Sequence, residues 1–411
     1  MANTKVIIAG CGIAGPILAL FLKQKGYEPV IYERTETVTD AGLSLCLQPN
    51  GLAVISQIPG LVESLVGSPI ERLLFYSELP EDKGVLADTD APSKMKEAYG
   101  HSMLGVKRTA FHHALIDAAK KAGIEIAFGH RLVSLKQDDK SVTVTFENGN
   151  TATGSFVVGC DGLHSDTRAC LFGKEQATYT GLSQCGGISP TPEVLHAQAT
   201  IMNVFGNGSH FIAYPCNQFE TSWATTRREP EAKETWRSMD QDAQDKFKQE
   251  SMFLKWDTGV GELVRTAGKL VKYGLYDRPE LSTWHRGRVV LLGDAAHPTS
   301  PHLGQGANQA FEDCNLLTQL LEQKNPEAAE PSTEILEKIF TEYEKARIPR
   351  SAEMVKGARR QGEQRVMEGV DACKQRNDRI RSIYKDDESI GKMYEKTLKC
   401  FARETAADSP L

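Results

Sequence analysis

The sequence predicts an α/β protein, with a sheet-based lobe inserted into its first domain and helices at its C-terminal end. Three observations predict this. A short apolar strand, a glycine-rich turn, a helix and a second strand open the chain. The stretch 178–270 is rich in aromatic and β-branched residues, and the chain beyond about residue 333 is charged and helical in pattern. A length of 411 residues suits two domains. The expected division is 1–177 with 271–345, then 178–270 with part of 68–105, then a C-terminal segment 346–411.

Bulk properties narrow the class. Hydrophobic content is 40 % and charged content 25 %, as in soluble globular chains. A net charge of −6 gives no basic face for nucleic acid. The cysteines number nine, with no Cys-x-x-Cys pair, which predicts reduced thiols, a cytoplasmic setting and no metal site. The first strand starts at Thr4 or Lys5, so no signal peptide is expected, and no apolar run is long enough to span a membrane.

The opening elements follow in order. KVIIA (Lys5–Ala9) reads as a strand buried on both faces. Pro16–Lys25 reads as a helix ended by Gly26, and Glu28–Tyr32 as the next strand. Between strand and helix stands Gly10-Cys11-Gly12-Ile13-Ala14-Gly15. Gly10 permits the tight turn, Gly12 lets backbone approach a pyrophosphate, and Gly15 lets helix and strand pack closely. Ile13 and Ala14 fall at the helix start, where N–H groups attract phosphate. Glu33 ends the second strand 18 residues after Gly15, placed to bind ribose hydroxyls. This is a Rossmann-like dinucleotide site, and it does not by itself separate NAD from FAD.

Further along, Gly51–Val66 and Arg108–Ala122 read as helices. Glu125–Phe128, Arg131–Gln137 and Ser141–Phe146 read as a strand and a hairpin, and Phe156–Gly159 as another buried strand. His210–Tyr214 and Thr221–Thr226 read as paired antiparallel strands of the second lobe. The apolar strand RVVLL returns at 288–292, and a helix is expected from Gly304–Asn308 to about Glu322. The charged helices after 333 read as packing elements with solvated faces.

Two later motifs extend the glycine turn. Asp161-Gly162-Leu163-His164-Ser165 follows one buried strand, with Arg168 close behind. Gly293-Asp294-Ala295-Ala296-His297-Pro298 follows another, with Gly304-Gln305-Gly306-Ala307-Asn308 behind it. Each motif alone is compatible with an ordinary turn. Their order and spacing together resemble the single-component (group A) FAD-dependent monooxygenases, the family of salicylate and para-hydroxybenzoate hydroxylases and many fungal biosynthetic enzymes. The resemblance covers about residues 1–350.

The resemblance implies a fold and a set of roles. The fold is a Rossmann-like FAD-binding domain of the GR2 type, like para-hydroxybenzoate hydroxylase, with an inserted β-sheet substrate domain and C-terminal helices. Gly10, Gly12, Ile13, Ala14, Gly15 and Glu33 would hold the ADP half of tightly bound FAD, with Arg34 near the adenine. Gly42 would face the flavin ring, and Arg108 the phosphates and ribityl chain. Asp161 opens the second fingerprint, Asp294 would bind ribityl hydroxyls, and Gly304, Gly306, Ala307 and Asn308 would meet the pyrimidine edge. A helix start there would favour the anionic reduced flavin.

The implied reaction uses NAD(P)H as a transient reductant and O2. A flavin C4a-hydroperoxide would hydroxylate or epoxidise a small aromatic or polycyclic, secondary-metabolite-like compound. The single GxGxxG disfavours enzymes carrying a second nucleotide domain. Substrate-lining candidates are His210, Phe211, Ala213, Tyr214, Trp223 and Thr225, with Pro298–His302 on the flavin side. No catalytic acid or base is assigned, and a monomer or homodimer is expected. An FAD-dependent dehydrogenase that never activates O2, and a degenerate flavin-binding scaffold, stay open at this point.

Overall fold

The computed structural model describes residues 4–39, 42–196, 199–231 and 239–398. Its first sheet has six strands in the order His285–Arg286, Val289–Leu291, Phe156–Gly159, Lys5–Ala9, Glu28–Tyr32 and Glu125–Ala127. All neighbours are parallel except the outermost pair, His285–Arg286 with Val289–Leu291. Val6, Ile7, Ile8, Val157, Val158, Val289 and Val290 are wholly buried. Continuous β-branched runs of this kind suit a parallel sheet covered on both faces. One covering layer is made by helices Ala14–Gln24 and Gly306–Lys324, which pack on each other.

The second sheet has seven strands, ordered Val271–Asp277, Thr178–Pro190, Glu220–Arg228, Ser209–Pro215, Thr200–Phe205, Arg72–Ser77 and Gly84–Thr89. It draws strands from both sides of residue 178. A three-stranded sheet of Ser44–Leu47, Met103–Lys107 and Gly67–Ile70 stands between the two. It touches the large sheet so closely that a Cβ on Gly105 would lie 2.0 Å from the Pro215 carbonyl oxygen.

Element boundaries follow local chemistry. The helix expected over Gly51–Val66 is shorter, Pro49–Ile55, followed by a 3-10 turn at Val62–Ser64. Pro59 lacks a backbone donor and Gly60 turns with φ 73°, so the helix cannot continue. The long helix Thr333–Arg365 starts where the Ser332 hydroxyl accepts from the Ile335 N–H at 3.3 Å. Two more helices, Val370–Ile383 and Asp387–Leu398, complete the described chain. Among the described residues no helix is long and apolar enough to cross a membrane.

Candidate active site

The first strand stops at Ala9, and Gly10 turns the chain with φ 105°. A Cβ on Gly10 would lie 2.6 Å from the Cys160 carbonyl oxygen, and one on Gly15 would lie 2.1 Å from the Gly10 carbonyl oxygen. The protein's own backbone therefore requires both glycines. Gly12 differs, because a Cβ there would meet nothing within 4 Å. Open space lies at this point, beside the start of helix Ala14–Gln24. The first turn of that helix, entered through Ile13 and Ala14, has no capping side chain and no acidic residue. Its N–H groups suit an anion. Glu33 flanks the turn, accepting from the Cys11 N–H at 2.7 Å and the Thr35 N–H at 3.0 Å. Arg34 beside it is exposed.

The Gly293-Asp294 turn arrives at the same place. Gly293 has φ 61°, and a Cβ on it would lie 3.7 Å from that of Ala14. Asp294 is exposed within the 3-10 turn Gly293–Ala295. The turn is gripped from behind by buried Asp313. One Asp313 oxygen accepts from the Gly293 N–H at 2.9 Å and from His297 Nε2 at 2.6 Å. The other accepts from Arg347 Nε at 2.6 Å. Arg347 also donates to Glu312 at 2.5 Å, and Arg350 and Asn50 donate to the same carboxylate. Burial alone would raise the Asp313 carboxyl, but His297 and Arg347 outweigh it and hold it well below the usual carboxylate range. Sequence reasoning named His297 only as part of the Gly293–Pro298 motif and missed Asp313 and Arg347. The Gly-Asp turn at a buried strand end was the available signal that something must hold it.

The Asp161 motif serves that turn too. Its carboxylate accepts from the Ser165 hydroxyl at 2.5 Å, the Thr167 N–H at 2.8 Å and the Thr167 hydroxyl at 2.9 Å. These bonds build the start of helix Asp166–Phe172, so the Asp161 carboxylate is turned inward and positions the loop. Buried Arg168 then reaches the Ala296 carbonyl at 3.1 Å.

A third wall comes from residues 42–51 and 108. Gly42 has φ 85°, and a Cβ on it would lie 2.6 Å from Arg108 Cδ. Burial pushes the Arg108 guanidinium down, while the Asp294 carboxylate pulls it back up, so the two lie within electrostatic reach. Gln48 Nε2 donates to the Leu303 carbonyl at 2.8 Å, and Gln305 Nε2 to Gln48 Oε1 at 2.6 Å. This network leads to Gly304, φ 63°, and the start of helix Gly306–Lys324. That start also has no capping side chain and no acid in its first turn, and a Cβ on Gly306 would come no nearer than 3.7 Å to Thr299. Ala307 is half-buried there. Asn308 is not free to face a ligand. Its amide bonds the Gln48 N–H at 3.0 Å and the Gly304 carbonyl at 2.7 Å, fixing the two segments together.

The substrate-side candidates divide by strand parity. Successive side chains of a strand point to opposite faces. Phe211, Ala213, Trp223 and Thr225 point away from the cofactor domain. Phe211 stacks on Trp223 with ring centroids 5.3 Å apart, inside a core completed by Phe253, Val260, Leu263 and Val264. Phe211 and Trp223 are therefore corrected from lining residues to core. His210 and Tyr214 face the other way, with Ser222, Ala224 and Thr226 across the ladder. Tyr214 Oη lies 2.7 Å from Ser44 Oγ, and Ser44 Oγ donates to Ser222 Oγ at 2.7 Å. Gln184 and Tyr273, which sequence reasoning missed, continue this face through a 2.8 Å hydrogen bond. Pro298 is buried in the segment after the 3-10 turn Gly293–Ala295.

Comparison with known proteins agrees with this geometry. Residues 3–358 match the family described as FAD binding domain. A 3-amino-4-hydroxybenzoate 2-monooxygenase of Streptomyces cremeus is 28 % identical over 96 % of this chain and 96 % of its own. A 6-hydroxynicotinate 3-monooxygenase of Bordetella bronchiseptica is 29 % identical over 78 % of this chain and 83 % of its own. Among solved structures, Klebsiella pneumoniae HpxO complexed with FAD and uric acid superposes with a TM-score of 0.82 at 22 % identity, over 96 % of this chain and 95 % of its own. The chain belongs to the FAD-binding-domain family and is, within it, an FAD-dependent monooxygenase with NAD(P)H as its reductant.

Proposed function

We propose that FAD lies extended through the groove just described and that the enzyme hydroxylates a small, electron-rich aromatic compound. The observations that support the cofactor placement are two uncapped helix starts, the open space at Gly12, and Arg108 within electrostatic reach of Asp294. Gly10, Gly12, Ile13, Ala14 and Gly15 would take the pyrophosphate, and Glu33 the adenosine ribose. Asp294 would bind ribityl hydroxyls. Gly42, Gly304, Gly306 and Ala307 would border the ring. Once bound, FAD supplies hydride acceptance from NAD(P)H and oxygen activation.

The chain's own groups do the rest. The sheet face of His210 and Tyr214 also carries the Ser222 and Thr226 hydroxyls and the Gln184 amide, which suits a hydroxylated ring. The Tyr214–Ser44–Ser222 hydroxyl chain spans both domains and would orient a substrate hydroxyl. Burial raises the Tyr214 phenol, so it acts as a neutral donor or relay. The relatives named above carry hydroxylated six-membered-ring acids in their names, which supports the same substrate class. The cysteine pattern supports a cytoplasmic setting.

The test is O2 uptake with NAD(P)H, followed by mass analysis of product made under heavy-isotope O2. Uptake should rise with a phenolic substrate, and one heavy oxygen should enter the product. Electron transfer to artificial acceptors alone would overturn the reading. Asp294→Ala should weaken FAD binding by about 1.5–3 kcal/mol through lost charge-assisted hydrogen bonds. A titration of the apoprotein with FAD measures it.

A further inference from the structure

A cavity of about 310 Å3 lies between the loop after strand Val271–Asp277, the residues Ala296 and His297, and the helix Thr333–Arg365. None of the residues that border it is a cofactor or substrate candidate named above. Its walls include Pro279, Leu281, Ala352 and Val355, so the space is apolar along its sides. A volume of this size is in the range of small-molecule sites.

Three polar side chains border the same space, and each is more than nine-tenths buried. Trp284 is 1 % exposed, Asp277 6 % and His297 8 %. The Trp284 and His297 ring centroids lie 5.0 Å apart. Among the described residues neither Trp284 Nε1 nor His297 Nδ1 has a hydrogen-bond partner, and neither nitrogen is wholly sealed from solvent. The Asp277 carboxylate faces Arg359 Nε at 3.5 Å, an ion pair without a hydrogen bond. Polar groups held this deep and left unspent beside an open space mark a place for a ligand.

The hydrogen-bond directions say what kind. An indole N–H only donates. His297 Nε2 donates to the Asp313 carboxylate at 2.6 Å, so the neutral ring keeps Nδ1 as an acceptor. The Asp277 carboxylate accepts as well. Burial raises this carboxyl, and Arg359 opposes the rise. The cavity therefore presents one donor and two acceptors between an aromatic ring and aliphatic walls. A carboxylate guest has no N–H or O–H for the two acceptors and would meet Asp277 with like charge. A primary amide on a flat ring has what is needed, one carbonyl to accept and two N–H bonds to give.

We propose that this cavity binds a flat ring carrying an uncharged primary carboxamide. The carbonyl takes the Trp284 indole N–H, and the amide N–H bonds go to His297 and Asp277. Two sources supply such a group, the nicotinamide end of the reductant and a free aromatic amide, and the site chemistry is the same for both. The inference stands on the cavity's own residues and does not depend on where FAD lies.

The experiment uses FAD-loaded protein, Trp284→Phe and Ala352→Leu, with binding followed by calorimetry. The probes are benzamide, N,N-dimethylbenzamide and benzoate. Benzamide should bind about tenfold or more tightly than either of the others. Trp284→Phe keeps an aromatic ring and removes the donor, so it should weaken benzamide about tenfold and leave benzoate unchanged. Ala352→Leu fills the cavity and should abolish benzamide binding at unchanged FAD content. Displacement of benzamide by NAD+ or NADP+, and not by ADP-ribose, assigns the amide to the reductant, whereas joint binding assigns it to a free compound. No binding of benzamide, benzamide no tighter than benzoate, or benzamide binding that survives in Ala352→Leu would each overturn the proposal.

Discussion

Arg347→Met is expected to destabilise the fold by about 3–5 kcal/mol, because it strands two buried carboxylates without their shared cation. Arg347 is wholly buried and reaches Asp313 at 2.6 Å and Glu312 at 2.5 Å. Arg350 still serves Glu312 after the change, so Asp313 bears the larger loss. Asp313 also holds the Gly293 N–H, so the Asp294 turn should loosen and FAD should bind less tightly. The pH dependence has a definite sign. Asp313 is depressed in the folded state, so its contribution is complete above its unfolded value of about 4 and is lost only as pH falls below that. Denaturant unfolding of the two proteins at neutral and acidic pH measures both effects. Equal stability at neutral pH would refute the clamp.

Trp223→Ala should cost about 3–5 kcal/mol as well, for a different reason. Trp223 is 1 % exposed, lies between Phe211 and Phe247, and donates from its indole to Ser189 Oγ at 2.8 Å. Truncation opens a cavity on the helix-covered face of the sheet and leaves the cofactor side untouched. His210→Ala, one strand away on the opposite face, should cost much less and should alter substrate binding. Thermal unfolding combined with substrate titration separates the two. A Trp223 variant of normal stability with altered substrate affinity would reverse the assignment of faces.

These two sites mark what the sequence makes legible. The cofactor groove announces itself through glycines whose backbone approaches are compulsory, as at Gly10 and Gly15, and through turns at the ends of buried strands. The strand pattern KVIIA and the run RVVLL lead to sheet positions directly. The substrate face is harder to read because both sides of the large sheet are covered. Aromatic character then says only that a residue is buried, and Phe211 and Trp223 look as pocket-like as Tyr214. The usable signal is parity, since His210, Tyr214, Ser222 and Thr226 are polar on one face while Phe211, Ala213 and Trp223 are not. Asp161 shows the opposite difficulty. A carboxylate in a recognisable motif need not touch the cofactor, because three short internal hydrogen bonds consume it. Arg347 and Arg365 are hidden in a run of charge, where only tertiary packing distinguishes a buried cation from a solvated one.

Gly12→Val tests the central placement most directly, because the fold itself has no need of this glycine. A Cβ there meets nothing within 4 Å, so the protein without flavin should fold and melt as the wild type does. Its flavin content after purification should fall to background, since the added side chain occupies the pyrophosphate path. A yellow, fully loaded Gly12→Val protein would contradict the account.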